Sequence, residues 1–409
     1  MSASVRTWWR RPGLDVRDGR LYIAGRDAES LAREHGTPLY VYDLSLVGEQ
    51  ATALRDVMVS AGLEPVVRLA LKAQREPALL EFLRAEVPFV GVDVCSPGEV
   101  DWAIRHGWGA EEISYTGTNV SGRDLERITS AGVHLNVDLL TQLERVGQAT
   151  PGRTVGIRVN PGIGASRDGA GETLYTGERP TKFGISAEQL PDALEIARRR
   201  DLTIDTIHFH VGDGYLSDGL PVFEETVRRA AEMVRTLQGA GCPIREVNTG
   251  GGLGVPQQAG DRPLDLGAWA AILAKHLGPL DVAVATEPGD FLVKECGVAL
   301  AEVVTVEVRS GVRFVGLDIG WNVLGERFVY GSILDLVVCR GVEAAALDEV
   351  TISGNINEGD DLFARDYPFP EVREGDIVAA IGVGSYNASM TSVHCLREPA
   401  GAVAFKDRR

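Results

Sequence analysis

The 409-residue sequence carries 58 acidic against 41 basic side chains, a formal net charge of -17, with 44% hydrophobic and 24% charged residues. That length suits roughly two domains, the composition is that of a soluble globular chain, and the acidic balance argues against a nucleic-acid partner. It does not argue against a phosphorylated cofactor, because a local pocket can oppose the overall field. No apolar run is long enough for a transmembrane helix. Met1 to Gly13 contains Trp8, Trp9, Arg10 and Arg11 but no apolar core, so it does not read as a signal peptide, and no membrane partner is expected. Cys95, Cys242, Cys296, Cys339 and Cys395 are odd in number, scattered and without a CxxC, which fits a reduced cytoplasm and predicts no metal site.

Near the N-terminus, Leu21-Tyr22-Ile23 reads as a short strand. Ala28 to His35 reads as a helix that Gly36 can stop, and Thr37 to Tyr42 as a second strand. A repeating unit follows. Apolar or alternating runs recur at Val66–Ala73, Phe89–Val94, Ile113–Thr118, His134–Leu139, Thr154–Pro161, Ile204–Gly212, Glu246–Gly252 and Asp281–Gly289. Helical patterns such as Pro77–Ala85, Glu99–His106, Arg123–Ala131 and Ala187–Arg199 separate most of them. Strands alternating with helices in this number predict an α/β fold, a closed parallel (β/α)8 barrel over residues 44–290. After Pro161, glycines 162, 164, 169, 171 and 177 mark a loop expected to be mobile. Beyond residue 290 the rhythm changes to valine-rich runs at Val298–Ser310, Val312–Asp318, Ser332–Cys339, Val350–Ser353 and Asp376–Ile381. These predict a β domain over 291–409, joined by 1–43.

In such a barrel the chemistry sits at the strand C-termini. The residues there are Lys72, Asp93, Asn119, Asn136, Arg158, His210, the Gly250-Gly251-Gly252 run and Glu287. Strand alternation sends Arg68, Ala70 and Lys72 to one face. A lysine entering a barrel mouth is costly unless paired or chemically used, for instance as a Schiff base; a strand-end lysine snorkelling to solvent gives the same pattern. Arg158 suits a core salt bridge, His210 a satisfied core histidine, and Glu287 a turn acid. Equally, consecutive glycines suit close approach to a phosphate, and an acid against a pyridine nitrogen strengthens an electron sink.

These pieces occur in an ordered series: Ala70-Leu71-Lys72-Ala73, Val92-Asp93-Val94-Cys95-Ser96-Pro97-Gly98-Glu99, Arg158-Val159-Asn160-Pro161, Lys182-Phe183-Gly184-Ile185, His208-Phe209-His210-Val211-Gly212, the triple glycine and Glu287-Pro288-Gly289. The series resembles the group III pyridoxal-phosphate decarboxylases of diaminopimelate, ornithine and lysine, which share a barrel with alanine racemase, and it runs nearly the length of the chain. The resemblance implies pyridoxal 5'-phosphate as cofactor and a small amino acid as substrate. It implies a Schiff base on Lys72, His210 stacked on the cofactor ring, and Glu287 on the pyridine nitrogen. Gly250, Gly251 and Gly252 would hold the phosphate by backbone N–H groups, with Tyr386 nearby and Arg158 and Asp93 in support. It also implies a homodimer whose partner supplies the segment Gly354–Leu362.

Several positions depart from that family. Asn357 stands where a proton-donating cysteine is usual, beside a retained Glu358, and an amide is no useful proton donor. Asp213 replaces a serine and Asp290 an arginine near the phosphate, where carboxylates would repel it if they pointed at it. Glu326 occupies the place of a substrate-binding arginine, and His394-Cys395 replaces Tyr-Asn. These changes lead to the expectation of a decarboxylase with a non-standard amino-acid substrate from specialised metabolism. A racemase or epimerase on the same scaffold, or an inactive partner-binding homologue, are the alternatives. Acids at 213, 290, 326, 358, 360 and 361 suggest a cationic group on the substrate, unless several face solvent or the partner chain.

Overall fold

Each barrel strand is a short Val/Ile/Leu-rich segment that buries both faces, as parallel strands covered by helices must. The strands are β1 (Pro65–Ala70), β2 (Val90–Val94), β3 (Ile113–Gly117), β4 (His134–Val137), β5 (Thr154–Arg158), β6 (Thr203–His208), β7 (Glu246–Asn248) and β8 (Ala283–Thr286). They close in sequence order into a parallel barrel, β8 returning to β1 with Val66 opposite Ala285. The computed structural model describes residues 7–167, 169–171 as backbone, 175, 176 and 180–407; Gly177 of the glycine-rich loop lies outside them.

Helix starts in the outer ring are fixed by local chemistry. Ser96 accepts from the Glu99 N–H with Pro97 at the first helical position, and Ser121 accepts from the Asp124 N–H; both satisfy donors that a helix leaves open. The barrel interior carries a polar cross-link. Arg68 on β1 reaches past β8 to Glu246 on β7 with two contacts of 2.7 and 2.8 Å. A paired guanidinium is what makes an inward-facing arginine tolerable there.

The second unit is a mixed sheet in the order 335–338, 377–381, 297–309, 312–317, 348–353, 362–369. The N-terminal strand Leu39–Asp43 joins it, antiparallel to Gly297–Arg309 and parallel to Gly401–Phe405. Trp9, Leu21, Ile23, Leu31 and Val41 share one core with Val298, Leu300, Val337 and Ile377. We propose the division into 44–290 and 1–43 plus 291–409 on these contacts. Strands Leu362–Phe369 and Gly401–Phe405 carry no valine-rich run; Arg365, Asp366 and Pro368 interrupt the first. Glu246–Gly252 ends as a strand at Asn248, because Gly250 and Gly252 turn to φ +66 and +92.

Trp269 is fully buried on Leu266–Leu277 beside Phe223, and its indole N–H donates to the Tyr215 hydroxyl at 3.2 Å. Trp269→Ala should cost about 3–5 kcal/mol, read as a lowered urea midpoint, with Trp269→Phe costing less.

Candidate active site

Just beyond β1 the chain turns sharply: the Leu71 N–H donates to the Asp93 carbonyl and the Ala73 N–H to the Ala70 carbonyl, both at 2.9 Å. The turn presents Lys72 to a cavity of about 230 Å³ at the strand C-termini. Asp93, His210, Gly251, Gly252, Glu287 and Tyr386 line it as well.

Glu287, buried at the end of β8, is held by two groups from neighbouring strands. His208 Nε2 lies 3.0 Å from one carboxylate oxygen, and the Asn248 amide donates to the other at 2.5 Å. Burial pushes this carboxyl up, but His208 and Asn248 prevail and hold it down at about 2. Asp93 moves the other way: burial, then the adjacent Glu287, push it well above the usual range. For Lys72, burial favours the neutral amine, yet Asp93 and its neighbours prevail and raise it. Burial, then the Lys72 and Arg158 charges, hold His210 well below its usual value, so its imidazole is neutral. The site therefore offers a lysine held as the ammonium, an uncharged aromatic ring that stacks on Tyr175 at 4.7 Å, and a fixed carboxylate.

The glycine run admits no side chains. A Cβ on Gly251 would lie 2.4 Å from the Glu287 carbonyl oxygen, and one on Gly252 2.5 Å from that of Gly212. Neither N–H donates to another described residue. Gly250 differs from expectation: its N–H donates to Asn248 Oδ1 at 2.9 Å, so two glycines, not three, present free donors. Gly289 is needed because the Tyr386 hydroxyl comes within 2.7 Å of where its Cβ would be.

Pyridoxal phosphate fits this donor set. Glu287 suits a pyridine nitrogen, the Gly251 and Gly252 N–H groups suit a phosphate, and Asp93 Oδ1 is buried without a hydrogen-bond partner among the described residues. The Asp290 carboxylate does not stand alone: it accepts from the Ser385 hydroxyl at 2.6 Å and lies 3.8 Å from the buried Lys294 ammonium. Lys294 in turn is paired with Glu326. One lysine, a helical turn after Asp290, thus offsets part of the charge of both acids. Asp213 lines the cavity at an exposed position.

Other expected residues sit elsewhere. Arg158 does not line the cavity; it lies 3.6 Å from Asp138 and over the Phe183 ring at 4.3 Å, a core salt bridge. Asn357 and Glu358 are exposed on the β domain, outside this chain's cavity, with Glu358 2.9 Å from His394. Asn136 is buried on Ser114 and Thr116. Unforeseen site residues are His208, Asn248, Tyr175, Lys294 and Arg167. The His-x-His alternation of residues 208 and 210 signalled the first, and the i, i+4 spacing from Asp290 signalled Lys294; nothing in the sequence marked Arg167.

A parallel barrel whose mouth carries a lysine, a neutral histidine and a buried carboxylate has the groups that a pyridoxal-phosphate enzyme uses. Residues 46–294 match the family model for the pyridoxal-dependent decarboxylase, pyridoxal binding domain. The chain is 32% identical to the diaminopimelate decarboxylase of Methanothermobacter thermautotrophicus over 97% of its own length and 93% of the relative's. It is also 32% identical to that of Escherichia coli K12, over 89% and 88%. The solved diaminopimelate decarboxylase of M. jannaschii in complex with L-lysine superposes with a TM-score of 0.84 at 26% identity, covering 97% and 93% of the two chains. The chain belongs to the pyridoxal-dependent decarboxylase family and is a carboxy-lyase that uses pyridoxal phosphate.

Glu287→Gln removes the fixed charge while keeping the shape. It should lower kcat by about 100-fold or more, and shift the visible absorption of the bound cofactor. An unchanged spectrum and rate would mean that Glu287 does not face the pyridine nitrogen.

Proposed function

We propose that this decarboxylase acts on a diamino acid, recognised through a distal ammonium group. Diaminopimelate, the compound in the names of its relatives, is the first candidate. The observation that carries this reading is the acidic wall of the cavity. Glu326 and Asp290 line it and share the Lys294 ammonium, one positive charge between two acids. A distal ammonium gains from such a wall, whereas a lone distal carboxylate is repelled. Lysine and ornithine share that ammonium, as does the non-standard amino acid that the sequence departures suggest.

When bound, pyridoxal phosphate supplies the electron sink that accepts the pair left behind as CO₂ departs. The chain's own contribution is positional and electrostatic. Lys72 places its amine in the mouth, ready for covalent attachment of the cofactor. Glu287 holds a negative charge where a pyridine nitrogen needs one. Burial, then the Asp290 carboxylate, push the Tyr386 phenol well above its usual range, so it keeps its proton at neutral pH and stands as a donor at the cavity wall.

We further propose a cytoplasmic homodimer in which the partner's segment 354–362 completes each site. The five cysteines are all free. The exposed Val393 and Leu396 flank His394, the partner of Glu358, which leaves apolar surface beside that segment.

CO₂ release should be measured with diaminopimelate, lysine, ornithine and 2-aminopimelate. Turnover is expected only with the amines, and equal turnover of 2-aminopimelate would overturn the ammonium reading. Lys72→Ala should abolish turnover and borohydride-trapped cofactor together. The pair Val393→Asp and Leu396→Asp should give monomers by sedimentation. Mixing inactive Lys72→Ala and Glu358→Ala chains should restore activity through hybrid sites; no recovery would exclude shared sites.

A further inference from the structure

At the phosphate end of the cavity, the positions where the family resemblance implies a serine and an arginine carry Asp213 and Asp290. A phosphate dianion seated on the Gly251 and Gly252 N–H groups still needs a cation. Lys294 is committed to Asp290 and Glu326. Arg167 lines the same cavity, with one guanidinium nitrogen paired to Asp261 and the other not. It follows the strand Gly164–Ser166, which pairs in parallel with Gly212–Asp213, so it stands beside the segment that follows His210. Its Cβ is 3.4 Å from where a Cβ on Gly214 would lie, and Gly214 abuts Gly254 of the glycine run. One edge of its guanidinium is anchored on Asp261, whose carboxylate also accepts from the Gln257 and Gln258 N–H groups at 2.8 and 3.2 Å. Asp261 thereby ties Arg167 to the chain just after the glycine run. The other guanidinium nitrogen, Nη1, is buried and has no hydrogen-bond partner among the described residues. A buried donor of this kind is rare in a native protein and calls for an acceptor.

We propose that Arg167 is the cationic ligand of the cofactor phosphate. It brings to the site, from a hairpin, the charge that Asp290 has given up. The anchored edge on Asp261 fixes the guanidinium, and Nη1 is the donor that the phosphate takes. The proposal rests on the phosphate lying against Gly251 and Gly252, and the test separates the two claims.

Cofactor-free wild-type and variant proteins should be titrated with pyridoxal 5'-phosphate and with pyridoxal, following the visible absorption change on binding. Wild type should bind the phosphorylated form far more tightly. Arg167→Gln should weaken pyridoxal 5'-phosphate by about 10- to 100-fold and leave pyridoxal unchanged. Arg167→Lys, which keeps the charge but loses the planar fork, should fall between them. Glu287→Gln, acting at the ring, should weaken both forms alike. If wild type does not distinguish the two forms, the phosphate placement fails and the proposal with it. If wild type distinguishes them and Arg167→Gln does so equally well, or if Arg167→Gln and Arg167→Lys weaken both forms alike, Arg167 is not the phosphate ligand.

Discussion

The Glu287 carboxylate is buried at the centre of a protein, and that burial is affordable only because two strands deliver partners to it. His208 at the end of β6 and Asn248 at the end of β7 take one oxygen each, so the anion keeps its charge without water. The arrangement fixes three consecutive strand ends relative to one another. The Glu287 N–H and the Thr286 hydroxyl both donate to the Gly250 carbonyl, at 2.7 and 3.0 Å, so the glycine run is registered against the same acid. The turn after β1 is drawn in too, with the Ala70 N–H 3.3 Å from the Pro288 carbonyl. Lys72, Asp93 and Glu287 line one cavity as a consequence of barrel closure.

The β domain is more than a lid. The Tyr386 N–H donates to the Ala73 carbonyl at 2.8 Å, and the Gln74 amide donates to the Gly384 carbonyl at 2.7 Å. Both bonds tie the lysine turn to the segment Gly384–Tyr386. A Cβ on Gly384 would lie 1.9 Å from the Val293 carbonyl oxygen, so the backbones touch where the two units meet. The buried Lys294 with its acids Asp290 and Glu326, and the amide of Asn387 3.2 Å from Glu326, lie across that same junction. The charge pattern of the cavity wall is thus a property of the junction rather than of either unit alone.

This pattern bears on how a family scaffold changes its preferences. The barrel residues that the family resemblance assigns to a pyridine ring stand together: Lys72, Asp93, His210 and Glu287 all line one cavity. The positions where the family resemblance implies phosphate- and substrate-binding residues carry acids instead, at 213, 290 and 326. An arginine-to-acid change next to a phosphate is tolerable only with a compensating cation. Lys294 supplies one for the acids, and Arg167, anchored on Asp261, is the group proposed for the phosphate.

How much could be read from the chain itself follows from the range of each signal. Barrel strands and their helices are local patterns of apolar period, so the α/β architecture and the strand positions were legible, as were Lys72, His210 and Glu287 at strand ends. The strand Leu362–Phe369 was not, because Arg365, Asp366 and Pro368 hide its alternation and only its partner Asp348–Ser353 enforces it. Gly250 read the same as its neighbours, since a run of glycines does not say which N–H the Asn248 side chain will claim. Arg158 and Asp138 are separated in sequence and meet only through adjacent strands β4 and β5. The same holds for Arg167 with Asp261, and for Lys294 with Glu326. Sequence determined which residue types stand at the barrel mouth, because backbone periodicity is local. Tertiary structure alone decided which charges neutralise one another and which donor is left over, because ion pairing depends on distances that only the closed barrel and its β domain set.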